Sequence, residues 1–234
     1  SQAMSGIDWV FHVAAVADYW HTAPDVIYRV NVEGTRNVLE AALHSGVRRV
    51  VTTGSTASLG VPRPGKPLLD ETDSFNLRPA DFPYGHSKQL AWEAVQEYAA
   101  KGLDVVTVLP SAVIGPRDLK FNAGELIVQA LQGGILPFPA GGLNYVDALD
   151  CVQGHIAAAE KGLAGERYIL AGHNMTHAET INEVNRALGT RARSLRLPRW
   201  LLPAMAAGAD LAHRVGIDLP VDRGRVILSG HYIY

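Results

Sequence analysis

Short runs rich in β-branched and aromatic residues alternate along this 234-residue chain with longer stretches whose apolar residues recur at helical spacing. Few folds satisfy that alternation. A helix following each strand carries the chain back across the sheet, so neighbouring strands lie parallel. The runs 7–13, 49–53, 105–109 and 167–170 read as strands. The stretch from Asn31 to Leu43 keeps one apolar helical face and stops at Ser45-Gly46, where glycine supplies a left-handed cap. Pro83 opens the next helix, whose face of Leu90, Ala91, Ala94, Val95 and Tyr98 ends at Gly102. Thr176, with Glu179 three residues later, predicts a capped helix over 175–188, and a Leu/Ala-rich segment follows over 200–215. These last helices predict a smaller lobe beside the sheet.

Composition narrows the function classes. With 47% hydrophobic and 19% charged residues the chain can bury a substantial core. Net charge is −2, and the basic residues are scattered singly or in pairs such as Arg48-Arg49, so no basic stripe points to nucleic acid. The lone Cys151 excludes an internal disulfide framework and a multi-cysteine zinc site, which fits a cytoplasmic protein. There is no signal-peptide pattern and no apolar run near the roughly 20 residues needed to span a bilayer, so no membrane partner is expected. The nine histidines lack metal-ligand spacing, no metal is expected, and His12 reads as a satisfied core histidine in an apolar strand. Gly60 to Pro67 is spaced like a phosphate loop, but Pro67 stands where a hydroxyl would hold magnesium, so it reads as a surface loop. Gly-x-Ser-x-Gly is absent, which argues against a hydrolase elbow.

In Pro83-Tyr84-Gly85-His86-Ser87-Lys88, tyrosine and lysine stand four apart at the start of a helix and share one face. A free phenol titrates at about 10, so proton exchange near neutrality needs a neighbouring positive charge that favours phenolate, and Lys88 can supply it. The spacing alone is met equally by a tyrosine packed on a lysine stem. A second cluster, Thr53-Gly54-Ser55-Thr56-Ala57-Ser58, puts small hydroxyl residues at a strand's carboxyl end, the edge where open α/β sheets bind ligands. Ser55 there could hydrogen-bond a substrate oxygen or merely cap its own backbone. With Tyr84 and Lys88 downstream, the functional reading is the better one.

Taken in order, several segments resemble the extended short-chain dehydrogenases/reductases. They are Trp9-Val-Phe-His-Val-Ala-Ala15, Asn31-Val-Glu-Gly-Thr-Arg-Asn-Val-Leu39, Thr53-Gly-Ser55, Tyr84-Gly-His-Ser-Lys88, Leu109-Pro-Ser-Ala-Val-Ile-Gly-Pro-Arg117 and Asn144-Tyr-Val-Asp147. The chain looks most similar to the dihydroflavonol-reductase-like and hopanoid-associated sugar-epimerase branch of the NAD-dependent epimerase/dehydratase family. The resemblance implies an α/β fold with a Rossmann-type doubly wound parallel sheet. The partial core would be 1–118 and 145–172; a small, mostly helical substrate-binding lobe would be 119–144 and 173–234. It implies NAD or NADP as cofactor, Tyr84 as general acid/base, Lys88 as ligand of the nicotinamide ribose that also lowers the tyrosine pKa, and Ser55 as the group that orients the reacting oxygen. Ala14, Ala15, Asn31, Thr53, Pro110 and Val113 would join Tyr84 and Lys88 around the cofactor, and Thr56, Phe121 and Asn122 would join Ser55 and Tyr84 around a small-molecule substrate. A homodimer through the helices starting near Asn31 and Tyr84 is common in this class.

Two departures from the family pattern matter. No glycine-rich dinucleotide-binding segment occurs, and the first strand resembles the family's fourth. An N-terminal portion of roughly 60–80 residues is therefore expected to be missing, and with it the pyrophosphate cradle and the residue that selects NAD or NADP. A strand edge would be left uncovered, and the chain stops at Gly230-His-Tyr-Ile-Tyr234 where the family continues. On this reading the chain is an inactive fragment of an enzyme. The second departure is Ala112-Val-Ile-Gly-Pro116 in place of the Asn-Val-Tyr-Gly-Pro-like run of nucleotide-sugar epimerases, which resembles the reductase-like branch. The expected activity is NAD(P)-dependent oxidoreduction at a carbonyl/alcohol centre, as a reductase or as an epimerase through a transient ketone. The rival is a non-catalytic dinucleotide-sensing or scaffold protein of the same fold.

Overall fold

The computed structural model describes residues 2–17, 22–118, 125–214 and 223–234. Phe121 and Asn122 lie outside the described residues. The chain begins with β1 (Trp9–His12), α1 (Pro24–Tyr28), a π-helical turn (Arg29–Glu33) and α2 (Gly34–Ser45). Then come β2 (Arg49–Thr53), a 3-10 turn (Thr56–Leu59), α3 (Pro83–Ala100), β3 (Val105–Pro110) and β4 (Ala112–Ile114). These are followed by α4 (Glu125–Gln132), β5 (Ile135–Pro139), β6 (Gly142–Asp147), α5 (Ala148–Lys161), β7 (Arg167–Leu170) and β8 (His173–Thr176). The order closes with α6 (His177–Leu188), β9 (Arg193–Leu197), α7 (Leu202–Arg214), α8 (Arg223–Ser229) and β10 (Tyr232–Ile233).

Two compact units result, the first comprising 1–60, 70–115 and 146–172 and the second 61–69, 116–145 and 173–234. The first contains a four-stranded sheet in the order β1-β2-β3-β7, all parallel. A parallel sheet needs cover on both faces, and β3 is buried at every position from Val105 to Pro110. Side-chain alternation assigns the faces. Val50 and Val105 pack with Leu39, Ala42, Ala94, Val95 and Tyr98 of α2 and α3. Val51, Val106 and Val108 pack with Ala158 and Ala159 of α5. At the amino ends of the strands, the Arg49 guanidinium pairs with Asp104 at 2.9 Å and donates to the Ala159 carbonyl at 2.9 Å, which ties β2, β3 and α5 together.

The local signals read from sequence act as expected. Gly46 caps α2 in the left-handed region at φ +66°, and Pro83 takes the first turn of α3. Thr176 and Glu179 form the reciprocal capping box of α6. The second unit holds more strand than the sequence suggested, with β6 paired to β8 and β10 and β5 paired to β9. β5 is apolar at all five positions and contains Pro137 and Pro139, and β9 is mostly exposed, so neither segment announces a half-buried strand in its sequence. Ala130, Ile181, Val184 and Ala192 form this unit's apolar centre. The segment 61–69, placed with the first region by the sequence reading, groups here. Among the described residues no helix is long and apolar enough to cross a membrane.

This packing predicts a contrast. Replacing Leu39, which is 0% exposed, by alanine should cost about 2–5 kcal/mol, read from urea unfolding. Leu149→Ala, at a side chain 73% exposed on α5, should change stability by less than about 0.5 kcal/mol. Equal losses would contradict the assignment of faces.

Candidate active site

The carboxyl ends of β1, β2 and β3 lie side by side, and the residues singled out from sequence follow those ends. Ala14 and Ala15 come just after β1, Thr53 ends β2 with Ser55 and Thr56 beyond it, and Pro110 ends β3. Val113 follows on β4, half-buried.

Past β2 the chain turns tightly. Ser55 is extended and caps the 3-10 turn, its Oγ accepting from the Ala57 amide at 3.2 Å, while Ser58 Oγ donates to the Ser55 carbonyl at 2.7 Å. The first turn of α3 rests on this segment. A Cβ at Gly85 would fall 2.7 Å from the Ala57 carbonyl oxygen, so only glycine permits the approach. Phe82 and Phe75 pack at ring centroids 6.4 Å apart, and His86 Nδ1 shares a 2.9 Å hydrogen bond with the Tyr28 hydroxyl. Together these set Tyr84 beside Ser55, and the two side chains hydrogen-bond.

One helical turn on, Lys88 Nζ donates to the Thr53 carbonyl at 2.9 Å and lies 6.0 Å from the centre of the Tyr84 ring. Tyrosine and lysine thus share the face that their spacing predicted. Burial pushes the Lys88 ammonium down to about 8. Burial also pushes the Tyr84 phenol above its ordinary range, with the Ser55 hydrogen bond acting the other way. In the protein alone Tyr84 is therefore a neutral proton donor, and the lysine charge is directed at a peptide carbonyl rather than at the phenol.

Asn31 sits at the centre of the π-helical turn, 2% exposed. Such turns interrupt helices frequently at functional sites. Its Oδ1 accepts from the Val16 amide at 2.8 Å, and its Nδ2 donates to the Val16 carbonyl at 3.2 Å and to Ser87 Oγ at 3.1 Å. Ser87 in turn donates to the Tyr84 carbonyl at 2.7 Å. Asn31 thereby ties the loop carrying Ala14 and Ala15 to the helix carrying Tyr84. His12 is hydrogen-bonded, as expected, but half-buried rather than in the core, with Nε2 3.0 Å from Thr35 Oγ1, and Thr35 donates to the Asn31 carbonyl at 2.7 Å. His12, Thr35, Thr53 and Lys88, together with Trp92 and Val95, line a cavity of about 20 Å³, room for about one water.

The sequence reading passed over two groups here. Ser111 Oγ, just past β3, is buried without a partner. A hydroxyl following the proline that ends a strand was the available signal. His155 on α5 lies 2.9 Å from Thr53 Oγ1, and at a separation of 102 in sequence no local pattern could reveal it. Among the described residues no cluster of His, Cys, Asp or Glu could hold a metal. A dinucleotide fits better. The strand ends carry small residues at Ala14 and Ala15, and the orphaned Ser111 hydroxyl and the Lys88 ammonium are polar groups of the kind that meet a nicotinamide ribose.

Known proteins match most of the chain. The family model for the NAD dependent epimerase/dehydratase family covers residues 1–171. A putative dihydroflavonol 4-reductase of Synechocystis is 35% identical over 205 residues, covering 86% of this chain and 60% of that protein. The chain thus spans 60% of that relative's length. The crystal structure of gox2253 superposes with a TM-score of 0.81 at 32% identity, over 100% of this chain and 71% of that one. The dTDP-glucose 4,6-dehydratase DesIV of Streptomyces venezuelae, solved with NAD and TYD bound, shares the fold at a TM-score of 0.70 and 24% identity, over 84% of this chain and 62% of its own. With the parallel sheet, the tyrosine-lysine helix and these matches in agreement, the chain belongs to the NAD-dependent epimerase/dehydratase family.

Proposed function

We propose that these residues form the catalytic site of an NAD(P)-dependent oxidoreductase acting on a carbonyl/alcohol centre of a small molecule. The observation that carries this reading is the meeting of Ser55, Tyr84 and Lys88 at the carboxyl end of β2. The nicotinamide cofactor supplies or accepts the hydride. Lys88, with Tyr84, holds the ribose hydroxyls, and Ser111 and Pro110 border the nicotinamide. Ser55 Oγ already accepts from the Ala57 amide, which leaves its O–H to donate. A substrate oxygen that replaces the Ser55–Tyr84 hydrogen bond accepts a hydrogen bond from each hydroxyl. Ser55 orients it, and Tyr84 transfers its proton as the carbonyl becomes an alcohol. The reverse transfer serves oxidation, so reduction and epimerisation through a ketone use one site. The Ala112-Val-Ile-Gly-Pro116 run and the similarity to a dihydroflavonol 4-reductase favour reduction.

The test uses the full-length protein that carries these residues. With a panel of ketones and aldehydes and NADH or NADPH, followed by absorbance of the reduced cofactor, Tyr84→Phe should lower turnover by about 10²–10⁴. Its cofactor affinity, from fluorescence titration, should fall by about fivefold at most, the loss of one ribose hydrogen bond. Wild-type protein that binds neither nucleotide, or a Phe variant as fast as wild type, would remove the reading.

The buried ammonium carries a stability consequence. Its folded pKa of about 8 lies below the ordinary lysine value. The unfolded chain therefore binds more protons between pH 8 and the ordinary lysine value, and stability rises with pH through that window. At pH 7 the charge is a cost, so Lys88→Met should raise the unfolding free energy by on the order of 1–3 kcal/mol. The gain should shrink as the pH climbs past 8. Denaturant unfolding at pH 7 and at pH 10 measures both, and a variant less stable than wild type at pH 7 would contradict it.

A further inference from the structure

We propose that His155 is a positioning residue of this site, fixing through the Thr53 side chain the peptide whose carbonyl holds Lys88. The inference rests on the reading of Lys88 as a cofactor ligand. It follows from the direction of three consecutive hydrogen bonds.

His155 Nδ1 lies 2.8 Å from the Cys151 carbonyl oxygen, one helical turn back on α5. A carbonyl only accepts, so Nδ1 carries a proton, and Nε2 is the ring nitrogen left to accept. That nitrogen accepts from Thr53 Oγ1 at 2.9 Å. The Thr53 carbonyl then accepts from Lys88 Nζ at 2.9 Å. The same peptide is held from β3, where the Gly54 amide donates to the Val108 carbonyl at 2.8 Å. The carbonyl facing Lys88 is thus held from the β3 side by its own peptide amide and from the α5 side by His155 through the threonine side chain. Elsewhere α5 meets the sheet through apolar packing of Ala158 and Ala159 and through the Ala159 carbonyl that accepts from Arg49.

Lys88 needs this because its ammonium is buried and the Thr53 carbonyl is its hydrogen-bond acceptor. A buried ammonium depends on fixed dipoles in place of water. When Thr53 is free to turn, the carbonyl dipole loses its direction and Lys88 its place. His155 touches neither cofactor nor substrate and acts only through Thr53.

Two measurements on the full-length protein test this, one of them independent of the cofactor. The first is the rate at which a succinimidyl ester acylates Lys88, read by peptide mass spectrometry. The second is NADH affinity by fluorescence titration. His155→Phe should speed acylation and weaken NADH binding, each by about fivefold, the factor that goes with one lost hydrogen bond. His155→Gln, whose amide oxygen can accept from Thr53, should restore both to within about twofold. Thr53→Val should match the Phe variant, and combining the two should add nothing, since both break one link. A Phe variant with an unchanged acylation rate, additive losses, or a Gln variant as impaired as Phe would overturn the proposal. If Lys88→Met leaves NADH affinity unchanged, the reading of Lys88 as a cofactor ligand falls, while the acylation rates still decide the role of His155.

Discussion

Lys88 carries its ammonium into the protein with 6% of the residue exposed, and the surrounding structure has to answer that charge. It does so with the Thr53 carbonyl, at the point where β2 stops pairing with β3. Parallel strands all end at one edge, where the last carbonyls pass out of the ladder, and a lysine reaching that edge from the first turns of a helix finds an acceptor there. The position of α3 is therefore the constraint on which the site depends. Gly85 lets its first turn lie against the Ala57 carbonyl, and that approach puts Tyr84 against Ser55 and Lys88 against Thr53.

A second set of polar contacts keeps α3 in that position. From His12 at the end of β1, hydrogen bonds run through Thr35 to Asn31, and from Asn31 to Ser87 and the Tyr84 carbonyl. Partly or fully buried networks of this kind are costly when incomplete and rigidifying when satisfied. This one crosses from the loop after β1 to the helix that bears the tyrosine. The site is stiff because backbone carbonyls and small hydroxyl side chains hold it, with few long flexible groups involved.

Much of this was legible in the sequence where the cause is local. The strands Arg49–Thr53 and Arg167–Leu170, the left-handed cap at Gly46, the proline opening α3 and the Thr176–Glu179 capping box all follow from neighbouring residues. The four-residue spacing of Tyr84 and Lys88 placed them on one face for the same reason. Long-range effects were hidden. The pairing of β5 with β9 joins a proline-bearing, uniformly apolar strand to a mostly exposed one more than 50 residues away. The partnership of His155 with Thr53 crosses from α5 to β2. The upward displacement of the Tyr84 phenol reflects burial, which the motif does not encode, and it runs opposite to the simple expectation that a nearby lysine lowers it.

That reversal makes the tyrosine the place to look. In full-length protein labelled with [ζ-13C]tyrosine, the Tyr84 resonance, assigned by its loss in Tyr84→Phe, reports phenolate formation directly as pH is raised. The account predicts that Tyr84 titrates above the ordinary tyrosine range in the free protein, and that bound oxidised cofactor, which would bring a positive charge towards the phenol, moves the titration down. A Tyr84 resonance that titrates identically with and without NAD+ at saturating concentration would contradict the assignment of this tyrosine as the acid/base of an oxidoreductase.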